Sequence, residues 1–252
     1  MCYSGGVAAL GLVQREGPAR YKFREAVCES VQKCLTSRSV NLKPMKAFEI
    51  FRLGILAGIA IGIAGFGYLA LGGIAGAVLF SFGLATVINY QLKLYTGAMG
   101  FVKTKEDLCN LLPTILGNIV GCLIIAVLAK FSPMHLPAKA LAILQARLAP
   151  SMVGGMPVCG ILRSGILAIG CGFIMTTAVN FARQGKWIPL LFGVPMFIVC
   201  GFPHCIADTF YYLTAPWGFY CQHGWSVLAL FLCLVIGNTI GGNLYRLITW
   251  TK

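Results

Sequence analysis

The sequence predicts an all-α membrane protein of six transmembrane helices, in two inverted three-helix repeats whose second and fifth helices are broken. Three observations carry that reading. Of 252 residues, 58% are hydrophobic and only 11% charged, where a soluble domain holds about 25% charged residues. Too few charges remain to clothe a water-facing surface. The hydrophobic mass falls into six runs near the roughly 20 residues that a spanning helix needs. A Gly-Asn pentapeptide then occurs twice, in the third run and in the sixth.

The chain opens with a basic segment, 1–47, that holds eight Lys/Arg and no secretory h-region, so Met1 is expected to begin the mature protein. Within it, 18–38 are expected to form an amphipathic helix lying on the inner leaflet. The six runs of the membrane domain, 48–250, fall at about 48–71, 74–92, 108–130, 156–179, 187–201 and 225–250. The first bears Gly54, Gly58, Gly62 and Gly65 on one face, a stripe that lets helices approach closely in lipid. The second is short and is interrupted at 91–97. The third contains Gly117-Asn118-Ile119-Val120-Gly121. A long external connection follows at 131–155, punctuated by Pro133, Pro137, Pro150 and Gly154-Gly155. The fifth run is interrupted at 201–208. A loop at 209–224, rich in aromatics such as Phe210, Tyr211, Tyr212 and Trp217, is expected to line the membrane interface or a pore mouth. The sixth run contains Gly237-Asn238-Thr239-Ile240-Gly241.

Three spans per half oblige the second half to enter the membrane from the opposite side. Paired interruptions in an inverted repeat point to a transport site near the bilayer midplane, because non-helical backbone survives there only against protein or a watery cavity. The net charge of +13 is mostly topology. With both termini cytoplasmic, fourteen Lys/Arg lie inside and three outside (Lys130, Lys139 and Arg147), as the positive-inside rule requires. A multi-pass protein of the plasma membrane follows, with the lipid bilayer as its surroundings and no nucleic-acid partner. The eleven cysteines include no CxxC pair, and several sit inside apolar runs. Small buried hydrophobes are the reading, with no metal and no cofactor expected.

Four motifs, in order along 48–250, resemble the formate/nitrite transporter family. Leu94-Tyr95-Thr96-Gly97 is similar to its Leu-Phe-Thr-[Gly/Ser], and Gly117-Asn118 to its third-helix Gly-Asn. Gly201-Phe202-Pro203-His204-Cys205-Ile206-Ala207-Asp208 is similar to its Gly-aromatic-Glu-His-Ser-[Ile/Val]-Ala-Asn, and Gly237-Asn238 to the sixth-helix motif. The resemblance implies an aquaporin-like protomer, a homopentamer with one pore per protomer, and passage of formate, nitrite, hydrosulfide or lactate with a proton. It implies a transporter and not an enzyme. The chain departs from the pattern at Lys93 and Pro203, where the family has Glu, and at Asp208, where it has Asn. The fourth-helix run reads Gly160-Ile161-Leu162-Arg163-Ser164, so Ser164 stands where the family's Asn helps hold the histidine.

His204 is the central candidate, since an ionisable group inside a span is functional by default and histidine titrates near neutrality. It is expected to give a proton to an arriving anion, or to stabilise the anion while water supplies the proton. Thr96 lies in the other interruption, where its hydroxyl is expected to bond both His204 and a passing anion, and Ser164 is expected to tether the ring. By resemblance, Phe80, Leu84, Leu94, Tyr95 and Phe197 form apolar constrictions of the kind that exclude hydrated ions, with the Tyr95 hydroxyl added to the inner one. Lys93 and Arg163 are expected to deepen a positive potential that draws small monovalent anions inward. The rival readings are a pH-insensitive channel for water or hydrogen sulfide, and a metal carrier or enzyme using His204, Cys205 and Asp208.

Overall fold

A computed structural model describes residues 45–249. The expected amphipathic helix at 18–38, and most of the basic segment 1–47, lie outside the described residues. The described chain is almost wholly helical. Four helices are long and apolar enough to cross a membrane: α1 (Ala47–Leu71), α4 (Lys105–Lys130), α6 (Gly160–Arg183) and α9 (Trp217–Ile248). Between them lie α2 (Gly73–Asn89), the short α3 (Tyr95–Ala98), α5 (Leu136–Leu148), α7 (Ile188–Val199) and α8 (Cys205–Thr214). At about 1.5 Å per residue, α7 rises about 18 Å against a hydrocarbon core of about 30 Å. It is too short to span by itself, and α8 resumes after the gap at 200–204.

Local chemistry sets the ends. Gly72 and Gly73 hold φ of 66° and 57°, a region costly for residues with a Cβ, and turn α1 into α2 without a loop. Thr104 caps α4: its Oγ1 accepts the Asp107 N–H, and the Asp107 carboxylate accepts the Thr104 N–H in return.

Three boundaries differ from expectation. The connection at 131–155 is not a plain loop, since it folds into α5 and then a two-stranded hairpin, β1 (Ser151–Val153) with β2 (Met156–Val158). Leu136, Ala140 and Leu144 recur at helical spacing and are fully buried, while Lys139 reaches back to the Leu69 carbonyl at 2.9 Å and covers the end of α1. The fourth run begins at Gly160, because 156–158 belong to β2. The stretch at 209–224 is helical rather than a loop, formed mostly by the end of α8 and the start of α9. Phe210, Tyr211 and Tyr212 are buried, with Tyr211 at the border of a cavity, and Trp217 is exposed.

The halves are held by two close helix pairs, α1 with α4 and α6 with α9, and glycine makes both possible. A methyl at Gly58 would collide with the Asn118 carbonyl, and one at Gly172 with the Asn238 carbonyl. On the opposing helices, Gly121 meets the Ile55 carbonyl and Gly241 the Ile169 carbonyl in the same way. Such backbone contact substitutes for the hydrophobic drive that lipid does not supply. Gly58→Ala and Gly172→Ala are therefore expected to cost about 1–3 kcal/mol each, read as a lower thermal midpoint of the detergent-purified protein. Gly67→Ala, where a methyl meets nothing within 4 Å, should leave that midpoint unchanged.

Candidate functional site

The two interrupted segments meet in the interior, and each is closed by an asparagine. Asn118 on α4 accepts the Tyr95 N–H at 2.9 Å and donates to the Lys93 carbonyl at 2.8 Å and the Gly54 carbonyl at 2.9 Å. Asn238 on α9 accepts the Cys205 N–H at 2.8 Å and donates to the Pro203 carbonyl at 3.0 Å and the Ala168 carbonyl at 2.8 Å. Each carboxamide spends its acceptor and one donor on backbone groups that have left the helical ladder, and its second donor on a carbonyl inside a long helix. Both copies of the repeated pentapeptide thus do one job, stitching a break to the neighbouring long helix.

That stitching places His204 at the N-cap of α8. Its backbone is extended (φ −114°, ψ 112°), its Nδ1 accepts the Ala207 N–H at 3.1 Å, and its own N–H donates to Asp208 Oδ2 at 2.9 Å. A ring nitrogen that accepts an N–H carries no proton, so the hydrogen of the neutral ring sits on Nε2. Nε2 lies 2.9 Å from Thr96 Oγ1 in the opposing segment. The Thr96 and His204 side chains, 1% exposed or less, are joined across the two interruptions.

Apolar groups wrap this pair. The Phe197 ring stands 5.6 Å from the imidazole and 5.9 Å from Phe80, edge-on to the latter. Leu84, Leu94 and Tyr95 are buried in the same cluster. Tyr95 does not present a free hydroxyl: it lies 2.8 Å from Thr239 Oγ1, whose own hydrogen goes to the Val235 carbonyl, so the phenol donates.

Two cavities approach the cluster without including His204. One, of about 560 Å³, is bordered by Leu94, Gly97, Trp187, Lys93 and Arg183. Arg183 donates to the Gly97 carbonyl at 3.2 Å and stacks 4.4 Å from the Phe101 ring. The other, of about 400 Å³, is bordered by Phe197, Phe202, Asp208, Ser164, Arg147 and Arg163. Lys93 and Arg163 therefore face separate cavities rather than a shared one. The Ser164 hydroxyl donates to the Arg147 carbonyl at 2.9 Å and does not tether His204.

Arg147 and Arg183, which the sequence presents only as charges between apolar runs, stand at helix ends and border the two cavities. Arg147 ends α5, with Nε 3.1 Å from Asp208 Oδ1 and Nη1 2.6 Å from the Gly201 carbonyl. The helical spacing of Leu136, Ala140 and Leu144 was the available sign that this stretch folds inward. Among the described residues, no group of three or more His, Cys, Asp or Glu is placed to hold a metal ion.

Residues 28–251 match the formate/nitrite transporter family. The fold is similar to that of a pentameric formate channel solved with formate bound, at 25% identity and a TM-score of 0.65 over 80% of this chain and 95% of the other. It is also similar to an FNT family ion channel, at 19% identity and a TM-score of 0.57 over 79% of this chain and 86% of that one. No curated protein matches the sequence.

Removing either stitching asparagine strands two backbone groups, an N–H and a carbonyl of its break, each costing about 1–3 kcal/mol. Asn118→Ala and Asn238→Ala are expected to lower the thermal midpoint far more than Asn243→Ala, whose side chain is half-buried and bonds only the Met99 and Thr239 carbonyls.

Proposed function

Because the chain belongs to the formate/nitrite transporter family, we propose that it passes small monovalent weak-acid anions across a membrane, linked to a proton, at His204. The observation that carries this reading is the Thr96–His204 pair, sealed in an apolar cluster and approached by two cation-lined cavities. In this reading the six runs span as two inverted three-helix repeats, and both termini and the segment 1–47 are cytoplasmic in the plasma membrane. The likeness to a pentameric formate channel supports a homopentamer and an anionic substrate of that size. The activity is transport, with no chemical conversion.

The steps follow from electrostatics. Lys93 and Arg183 on one side, and Arg163 with Arg147 on the other, raise the local concentration of anions in the cavities. Phe80, Leu84, Leu94, Tyr95 and Phe197 then bar a hydrated charge. Taking a charge out of water into such surroundings is prohibitive, whereas a neutral acid pays far less. The proton is added at the edge of the barrier, and the acid crosses beside the Nε2–H and the Thr96 hydroxyl. Nδ1 is engaged by Ala207, so a second proton on the ring would break the cap of α8. Water is accordingly the better proton source, with the neutral Nε2–H donating to the anion as its charge is quenched. Ser164 lines the outer cavity and contributes there rather than at the ring.

The test is formate flux into proteoliposomes as external pH is stepped from 7.5 to 5.5. The protonated fraction grows about tenfold per unit, so wild-type flux is expected to rise steeply. Thr96→Val keeps the shape and loses the hydroxyl, and His204→Ala loses the donor. Both are expected to cut flux at pH 5.5 by about tenfold or more, the worth of one buried polar contact. Formate flux that is flat with pH, and equal in wild type and His204→Ala, would overturn the reading.

A further inference from the structure

The cavity of about 560 Å³ holds more positive charge than one small monovalent acid would use. Lys93 and Arg183 border it together with Asn89, Gln91 and Trp187, and it reaches Leu94 of the apolar cluster. Among the described residues no carboxylate answers these two cations. Of the four carboxylates there, Asp208 borders the other cavity and Asp107 caps α4. Glu49 takes the Lys46 N–H, and Glu106 is exposed in the first turn of α4. Arg183 is fixed in place, since it donates to the Gly97 carbonyl at 3.2 Å and lies 4.4 Å from the Phe101 ring. That bond engages only part of the donor set of a guanidinium. Lys93 is anchored at its carbonyl by Asn118, so its half-buried ammonium extends from a fixed backbone. Gln91 holds a φ of 53°, a region that a residue with a Cβ adopts at a cost, and sets an exposed side chain at the same border.

We propose that the Lys93–Arg183 cavity is a binding site for a small organic dianion, a short dicarboxylate, which lodges there and occludes the route of the monovalent substrate. The two cations meet its two charges, the carboxamides of Asn89 and Gln91 offer donors to its oxygens, and the Trp187 indole covers its apolar body. A cleft lined by one sign of charge concentrates a dianion more strongly than a monovalent ion. Yet the dianion cannot follow the substrate across. A monovalent anion becomes neutral with one proton, whereas a dianion with one proton still carries a charge, and the apolar cluster bars it. The cavity that gathers substrate therefore retains the dianion. The binding site does not depend on transport, whereas the occlusion rests on the reading of the chain as a weak-acid transporter.

Binding is measured first, by calorimetric titration of succinate into the full chain in detergent at pH 7.5, where carboxylates are ionised. Saturable binding is expected, weakened at least about tenfold by Lys93→Gln, the worth of one charge-assisted contact, and retained by Lys93→Arg. Monomethyl succinate, with one charge fewer, should bind wild type at least about tenfold more weakly by the same reasoning. Arg163→Gln, at the other cavity, should leave the isotherm unchanged. Succinate should also change the tryptophan fluorescence of wild type, and Trp187→Phe should abolish that change. Should Lys93→Gln fail to assemble, Lys93→Met, which keeps the aliphatic stem, gives the same comparison. In proteoliposomes, succinate on both faces at about ten times its dissociation constant should cut wild-type formate flux about tenfold, to the unoccupied fraction of a single site. Monomethyl succinate at equal ionic strength is the reference, and Lys93→Gln should lose at most about half its flux under the same succinate. Four results would each overturn the proposal: no saturable binding, binding that ignores Lys93 or the second charge, binding that depends on Arg163 as much as on Lys93, and a fluorescence change that survives Trp187→Phe. So would succinate that binds without slowing formate. Wild-type liposomes that pass no formate would instead sink the transport reading, and the isotherm with the Trp187 signal would still decide the site.

Discussion

A backbone that leaves its helix inside a low-dielectric interior exposes N–H and C=O groups that neither water nor lipid can satisfy. This chain does so twice, at 90–94 and at 200–204, and everything around the candidate site is arranged to meet that demand. Two asparagine carboxamides supply the missing partners. Asn118 and Asn238 each bind an N–H and, two residues earlier, a carbonyl of the same break, and each adds a carbonyl on the adjacent long helix. A carboxamide suits the task because it offers an acceptor and two donors in one rigid plane. A carboxylate would lack donors, and a hydroxyl would lack reach.

The glycines follow from the asparagines. A carboxamide side chain is short, so the helix that carries it must lie against the helix and break that it serves. Gly58 beside the Asn118 backbone, and Gly172 beside the Asn238 backbone, leave no room for a methyl. Close packing and hydrogen bonding are then one constraint rather than two. With each break fixed to a scaffold helix, the two loose ends present Thr96 and His204 to each other at 2.9 Å.

The same need explains the charged pair. His204 caps α8 with its ring and gives its N–H to Asp208, so the start of α8 depends on a carboxylate held almost wholly out of solvent. A buried charge without a partner is strongly destabilising. Arg147, brought in by α5, meets that carboxylate and also takes up the Gly201 carbonyl. In this way α5, which carries neither a break nor a stitching asparagine, becomes part of the geometry at the centre.

Much of this was legible in the order of residues, because it follows from local chemistry. Apolar runs of spanning length, the repeated Gly-Asn pentapeptide, the two interruptions and a histidine within one of them fix the class of fold and mark His204 and Thr96. The glycine stripe of the first helix likewise announced close packing, because its period is the period of the helix. What the tertiary structure decided are pairings between residues far apart in the chain. Asp208 and Arg147 are 61 positions apart, and a linear reading sorted them into a motif and a surface loop. Ser164 met the Arg147 carbonyl rather than the imidazole, and Tyr95 gave its hydroxyl to Thr239, 144 positions away. Pro133, Pro137 and Pro150 made 131–155 look like loop, yet Pro137 sits in the first turn of α5, where a missing N–H costs nothing. Periodicity reports which face of a helix is apolar, and only packing reports which polar group waits on the other side.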